Sequence, residues 1–162
     1  MYDSRAVANT ILDSAAARGV GVTNLSLQKI IYFCHGWHMV IFGKPLVKHG
    51  FEAWQYGPVL QGIYREFKNF ERHPIDARCT GMDVSTGERL EVPPLKDERI
   101  CQLIDACVKF YGGLRPGTLV EMSHDPAGPW YKSWNHDGDI NPGMRIDDSE
   151  IHEYFSKVAR PF

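Results

Sequence analysis

Residues 25–46 read LSLQKIIYFCHGWHMVIFGKPL and carry the strongest structural signal in the chain. Before Gly43 the run contains no proline and a single glycine, Gly36. Thr23 and Asn24 precede it, and both residue types accept hydrogen bonds from the free N–H groups of a helix start. A helix that is apolar nearly all round lies in the middle of its domain, so we predict a central buried helix over residues 25–42. Its expected apolar stripes are Leu27, Ile30, Ile31, Cys34 and Ile41 on one side, and Phe33, Trp37 and Val40 on the other.

Amphipathic spacing predicts further helices around this central one. Asp147 or Asp148 is placed to cap a last helix, whose apolar residues run on to Val158. In the other predicted helices, apolar residues also recur every three or four positions. These helices cover residues 3–18, 58–70, 100–111 and 116–124, with a short helical turn over 130–134.

The FEAWQY segment, residues 51–56, alternates bulky and polar side chains and therefore predicts a short strand. We expect it to pair with residues 46–48 and to end at Gly57, with Pro58 opening the next helix.

Gly36 costs the central helix about 1 kcal/mol relative to alanine, which indicates a close neighbour there. The same strand is the candidate for that neighbour.

Residues 74–94 form a polar stretch rich in turn residues, including Gly81 and Gly87. The composition predicts a β-hairpin or loop excursion with its turn at residues 85–88. No repeat or linker interrupts the rest of the chain. We therefore expect an α+β fold, mainly α-helical, in which one compact domain over residues 1–162 combines the central buried helix with a small antiparallel sheet or hairpin.

Composition and charge exclude several classes of protein. The chain has 162 residues, 43% of them hydrophobic, and a formal net charge of −2. These values exclude a largely disordered chain and argue against a dedicated surface for nucleic acid or for membranes. The amino-terminal residues lack the apolar run of a signal peptide, so we expect a cytoplasmic protein. Because the cytosol is reducing, the four cysteines are expected as thiols, three of them buried.

The histidines and cysteines offer a candidate metal site. Cys34 and His38 lie four positions apart on the central helix, and His35 and His38 lie three apart, so either pair shares one helix face. His124 is a candidate further ligand, as are Cys101 and Cys107. No H-E-x-x-H motif and no paired C-x-x-C motif is present. Core packing is therefore the favoured interpretation, and we expect no metal and no other cofactor.

Nucleophilic catalysis has a weaker signal still. Cys34, Ser123 and Ser26 are the candidate nucleophiles, but a cysteine in an apolar helix has a raised pKa and reacts poorly. No G-x-S-x-G motif is present. We expect no catalytic residue and no enzymatic activity, and a metal-dependent hydrolase remains the alternative from another functional class.

Two linked strings resemble a known family. The first is residues 25–46, and the second is FEAWQYGPVLQGIYREFKNF, residues 51–70. They are similar to the Panacea domain of the SocA/GepA-like antitoxins, whose pattern joins L-Q-K-L-[LI]-Y-F-x-[HQ]-G-W to G-K-P-L, E-A-W-x-Y-G-P-V and Y-R-E-F-K. The resemblance continues through LVEMSH at 119–124, Gly128-Pro129-Trp130 and the last helix. Residues 77–92 and 135–145 follow no pattern of the family.

The resemblance implies an antitoxin that binds and neutralises a cognate toxin by direct protein–protein contact. One branch of the family acts instead as a proteolytic adaptor that delivers its toxin to a ClpXP-type protease, so that mechanism and that partner stay open. Some members carry an added DNA-binding domain. This chain has no room for one, and we expect neither direct nucleic-acid binding nor a membrane partner.

The aromatic excess of the chain indicates where a partner could bind. Trp and Tyr dominate many protein interfaces because they give large contact areas at low entropic cost. The expected partner surface comprises residues 77–92 together with Trp54, Tyr56, Tyr64, Arg65 and Phe67. The family motif also includes residues for which we expect structural roles, with His124 a hydrogen-bonded structural histidine. These are Gln28, Tyr32, Phe33, His35, Gly36, Trp37, Gly57, Pro58, His124, Pro129 and Trp130.

Overall fold

A helix of 19 residues, Asn24–Phe42 (α2), runs through the middle of the molecule. The Thr23 hydroxyl accepts a hydrogen bond from the N–H of Ser26, and Gly43 ends the helix in the left-handed conformation, with φ 68°. Every residue from position 26 to position 39 is buried, which confirms the predicted central helix. The predicted stripes are wrong at Val40 and Ile41, each 39% exposed, because the last turn leaves the core.

The other helices surround α2. The computed structural model describes residues 1–135 and 142–162. Asp3, Asp97 and Asp147 cap the first, fourth and last helices by accepting backbone N–H bonds. The bounds are α1 Ser4–Ala17, α3 Gln61–Phe67, α4 Glu98–Tyr111, α5 Pro116–Ser123, α6 Pro129–Trp134 and α7 Asp148–Lys157. Helices α1, α4, α5 and α7 pack against α2, so the fold is α+β, mainly helical and compact, as predicted.

The FEAWQY segment forms a hairpin with the residues that follow it. Strand β1, Glu52–Trp54, pairs antiparallel with β2, Gly57–Val59. The predicted pairing with residues 46–48 is wrong, and so is the helix start at Pro58, because Gly57 at φ 102° lets the chain reverse directly after Tyr56. The helix α3 begins only after β2 has ended.

The neighbour of Gly36 is a side chain of the last helix. A Cβ atom at this position would lie 2.3 Å from Cδ2 of Phe155, which belongs to α7. The prediction of a close neighbour is therefore confirmed, whereas its assignment to the strand over residues 51–56 is wrong. The aromatic ring reaches the backbone of α2 because glycine leaves room for it.

A second hairpin lies within residues 74–94. Strand β3, Thr80–Met82, pairs antiparallel with β4, Arg89–Glu91. Its turn is closed by hydrogen bonds between the backbones of Asp83 and Glu88 and of Gly87 and Asp83. The hairpin is held to α1 at its base, since the buried side chain of Asn9 bonds the N–H of Cys79 at 2.7 Å and the carbonyl of Val92 at 2.7 Å.

Replacing Asn9 with alanine is expected to release this second hairpin from α1. The change removes the donor and acceptor of buried backbone groups, so we expect a loss of about 2 kcal/mol in unfolding free energy. Amide exchange over residues 77–92 should accelerate more than exchange in α2. The matched control is Asp13→Ala, which removes the exposed Arg78–Asp13 ion pair to the same segment and should cost less than about 1 kcal/mol. Equal effects of the two substitutions would contradict the role given to Asn9.

In the part of the chain that the structure describes, no helix combines the length and the apolar character needed to cross a membrane.

Candidate partner-binding groove

An open cavity of about 640 Å³ lies where the first hairpin, the start of α2 and the helix α3 meet. The turn of the hairpin forms one wall, and α3 with the residues after it forms another. The polar lining includes Gln28, Lys68, Glu71 and Arg72. Its apolar lining consists of Leu25, Trp54, Tyr56, Val59, Tyr64 and Pro116.

The structure brings three of the predicted partner residues together in this groove. The rings of Trp54 and Tyr64 meet edge to face, with centroids 4.9 Å apart. The indole N–H of Trp54 donates to the carboxylate of Glu52 at 2.8 Å, which fixes the ring on the strand. Tyr56 lies in the turn and is 60% exposed, whereas Tyr64 is 38% exposed. Two tyrosine rings are thus accessible beside a fixed tryptophan.

The remaining predicted partner residues lie elsewhere. Arg65 is exposed on α3 but does not line the groove. Phe67 is in the core at 1% exposure, so its assignment to the partner surface is wrong: the apolar side of α3 turns inward at this position. None of residues 77–92 lines the groove either, although Val84 at the tip of the second hairpin is 98% exposed.

Two side chains of α2 hold the backbone behind the groove. Gln28 accepts a hydrogen bond from the N–H of Leu60 at 2.9 Å, and Lys29 donates to the carbonyl of Pro58 at 2.9 Å. Both bonds are buried, and together they fix β2 and the start of α3 on the central helix. The position of the hairpin turn, and hence of Tyr56, depends on these contacts.

Lys29 is fully buried and has no carboxylate partner among the described residues. Burial lowers the pKa of its ammonium group to about 7. Gly57 packs directly on it, since a Cβ atom at this position would lie 2.7 Å from Cε of Lys29 and 2.5 Å from the hydroxyl of Ser123. Sequence reasoning matched Lys29 to the family motif but did not recognise it as a buried charge.

His124 and Trp130 complete the support of the hairpin. Their rings stack with centroids 3.6 Å apart, and the indole N–H of Trp130 donates to the carbonyl of Trp54 at 2.9 Å. The sequence predicted that His124 is hydrogen-bonded. This prediction is wrong for its Nε2 atom, which is buried with no hydrogen-bond partner among the described residues. Burial, and then the charge of Lys29, lower the pKa of His124. Stacking holds this histidine in place.

The candidate metal ligands are engaged in separate contacts. His35 meets the carboxylate of Asp148 at 3.1 Å, and His38 bonds the carbonyl of Lys44 at 2.7 Å. Cys34 lies against Cys107, and burial raises the pKa of its thiol, which makes it a poor nucleophile. Over residues 1–135 and 142–162, no three His, Cys, Asp or Glu side chains are arranged to hold a metal ion.

The remaining candidate nucleophiles are also engaged. The Ser123 hydroxyl donates to the carbonyl of Val120 at 2.8 Å, and the Ser26 hydroxyl accepts from Thr23 at 3.2 Å. Three of the four cysteines, Cys34, Cys79 and Cys107, are buried as free thiols, as the sequence predicted.

Comparisons with known proteins agree with the resemblance in the motif strings. The model of the family described as "Antitoxin SocA-like, Panacea domain" matches residues 27–131. A relative, "Antitoxin SocA" of Caulobacter vibrioides (strain NA1000 / CB15N), is 39% identical over 154 residues, which are 94% of this chain and 82% of the relative. No solved structure matches the chain. The predicted resemblance is therefore confirmed at the level of the whole sequence.

Proposed function

The chain belongs to the SocA-like, Panacea-domain family of antitoxins, and on that premise we propose that it binds a cognate toxin directly and neutralises it. The groove formed by Trp54, Tyr56 and Tyr64 is the proposed contact. The observation that carries this assignment is the meeting of three aromatic side chains, two of them exposed, in one cavity of about 640 Å³.

The physical character of the groove supports protein binding. Tyr and Trp combine large apolar rings with a polar atom, and such residues carry much of the free energy of many interfaces. The groove is rigid, because Gln28, Lys29 and Trp130 bond the backbone of the hairpin and of the segment after it. A rigid surface loses little conformational entropy on binding. We propose a non-enzymatic protein, with residues 77–92 as a second contact region.

Co-expression in bacteria tests this function. The product of the neighbouring reading frame should arrest growth when it is induced alone, and induction of this chain should restore growth. Tyr56→Ala and Tyr64→Ala should each reduce the rescue, because interface aromatics contribute about 2 kcal/mol or more when truncated. Their Tm should stay close to that of the unchanged chain, since both tyrosines are exposed.

Tyr131 provides the matched control, because it is 42% exposed on α6 and does not line the groove. Tyr131→Ala should rescue growth fully. If Tyr131→Ala weakens rescue as much as the groove substitutions do, or if neither groove substitution weakens it, the groove is not the site of toxin binding. Failure of the unchanged chain to restore growth would count against the antitoxin role of this pair.

The same strains distinguish neutralisation from delivery to a protease. In the proposed mechanism the toxin accumulates in a stable complex, whether or not the host contains ClpXP. If the chain is an adaptor, toxin levels fall only where the protease is present, and rescue is lost in its absence. The cytoplasmic location expected from the sequence is part of the same proposal.

A further inference from the structure

The wall of the groove formed by the end of α3 and the residues after it is cationic. Lys68 and Arg72 line this wall, and both are exposed. Arg65 precedes Lys68 by three positions, so on a helix the two share one side. Among the described residues of the lining, Glu71 is the one acidic side chain. The groove thus has a positive edge on a chain whose net charge is −2.

These cations have no carboxylate partners within the described residues. By contrast, Arg5 pairs with Asp3 and Arg78 with Asp13, each at 2.7 Å. Lys68 and Arg72 form no ion pair in residues 1–135 and 142–162. The positive charge of the groove wall is therefore available to a ligand.

The start of α2 adds to this positive field. Its cap Thr23 and its first residues, Asn24 and Leu25, belong to the lining. The first turn of α2 contains no acidic residue, so no charged side chain of this helix offsets the partial positive charge at its amino end. The aromatic residues of the lining consequently share the groove with a helix amino terminus and two unpaired cations.

We propose that the groove binds a short segment of the partner protein in which an aromatic or aliphatic side chain is flanked by aspartate or glutamate. This proposal rests on the proposed function and names the chemistry of its partner. The apolar side chain packs against Tyr56 and Tyr64, and the carboxylates lie beside Lys68 and Arg72. The volume of about 640 Å³ is within the range of clefts that enclose a ligand.

A peptide fits this groove better than a single-stranded nucleic acid. Nucleic-acid surfaces offer free aromatic faces on which bases stack, together with a basic track for the phosphates. Here Trp54 and Tyr64 pack edge to face on each other, at 4.9 Å. Glu71 lines the same wall as the two cations, so the groove lacks the continuous basic track that successive phosphates require. A short peptide segment needs no such track.

Selection from a random peptide library displayed on phage tests this inference without a known toxin. The full chain is immobilised, and enriched peptides are synthesised and titrated by fluorescence anisotropy. We expect the enriched peptides to carry an apolar residue beside Asp or Glu. Lys68→Glu combined with Arg72→Glu should weaken their binding by about tenfold or more, and Tyr56→Ala should weaken it comparably.

The matched control is Lys96→Glu combined with Lys109→Glu, which changes the net charge equally at exposed positions outside the groove. It should leave the affinity within about twofold. No enrichment, enrichment without an acidic preference, or equal loss in the two double variants would overturn the inference. So would tighter binding of a thymidine oligonucleotide, or a dimer of the chain that Tyr56→Ala dissociates.

These outcomes are separate from those of the growth assay. If the unchanged chain restores growth but selects no acidic peptides, the inference fails and the antitoxin function stands. If it selects acidic peptides that require Lys68 and Arg72 but restores no growth, the ligand chemistry stands and the antitoxin function fails.

Discussion

Gly36→Ala is expected to destabilise the protein by about 2–4 kcal/mol, although alanine is the better helix former. A Cβ atom at this position would lie 2.3 Å from the ring of Phe155. The ring has nowhere to move, because it is 2% exposed and packs against Tyr32 and Trp37 at 5.6 Å and 4.9 Å. The higher helix propensity of alanine would stabilise the protein by only about 1 kcal/mol, so the clash with Phe155 makes the net effect destabilising. Chemical denaturation monitored by circular dichroism measures the change.

Gly62→Ala is the matched control for this substitution. Gly62 lies in α3, and a Cβ atom at this position would meet no described atom within 4 Å beyond its chain neighbours and the backbone of its own helix, so alanine should be neutral or slightly stabilising there. Phe155→Leu should lose less stability in the Gly36→Ala background than alone, because a smaller side chain relieves the clash. Unchanged stability of Gly36→Ala would contradict the packing of α7 on α2.

Lys29→Met is expected to stabilise the protein at neutral pH, by about 2 kcal/mol. Folding removes the Lys29 ammonium from water and lowers its pKa to about 7. An unfolded lysine has a pKa of about 10.4, and each unit of difference corresponds to about 1.4 kcal/mol. Methionine avoids this penalty. The carbonyl of Pro58 then loses its hydrogen-bond donor, which costs about 1–3 kcal/mol and reduces the gain in stability.

The contribution of Lys29 to the unfolding free energy changes with pH in a definite direction. Between pH about 7 and about 10.4 the unfolded chain binds a proton at Lys29 that the folded chain does not, so this residue makes unfolding free energy rise with pH. Below pH about 7 both states bind the proton, and the penalty becomes constant. The advantage of Lys29→Met should therefore shrink by about 2 kcal/mol between pH 7 and 9.

Paired denaturation curves at several pH values check this expectation. The buried thiols and phenols, such as Cys79 and Tyr111, have raised pKa values and act in the opposite direction at alkaline pH. They are common to both proteins and cancel in the difference. Lys109→Met, at an exposed position, should show no such trend. A constant difference between the Lys29→Met protein and the unchanged chain would contradict the lowered pKa of Lys29.

Local patterns were sufficient to predict the helical part of the fold. The capping residues Thr23 and Gly43 lie next to the run they delimit, and the spacing of Ile151 and Phe155 marks the docking face of α7. Such signals depend on neighbours within a few positions, which the sequence shows directly. The family strings also indicated the aromatic residues of the groove.

Contacts between distant segments could not be predicted in the same way. Pro58 suits a first helical turn, yet it lies in a short strand, whose carbonyl at Pro58 is bonded by Lys29 from 29 positions away. Phe67 and Tyr64 lie three positions apart in the helix predicted over residues 58–70, yet Phe67 is buried and Tyr64 lies in the groove. The width of a helix face in contact with the core is set by its neighbours.

The sequence does contain a signal for the burial of Lys29. A helix that is apolar nearly all round has no solvent side, so a lysine in its middle must be buried. The same reasoning applies to Gln28, whose side chain bonds the backbone of Leu60. Polar residues inside an apolar helix therefore indicate backbone segments that need donors or acceptors.

Direct binding in a purified system tests the central claim most closely. The chain and the growth-arresting product of the neighbouring reading frame are mixed without any protease and examined by isothermal titration calorimetry and size-exclusion chromatography. We expect a stable complex of fixed stoichiometry that is weakened by Tyr56→Ala and by Tyr64→Ala but not by Tyr131→Ala. The absence of a complex between the two folded proteins, with growth rescue intact, would contradict neutralisation by direct contact.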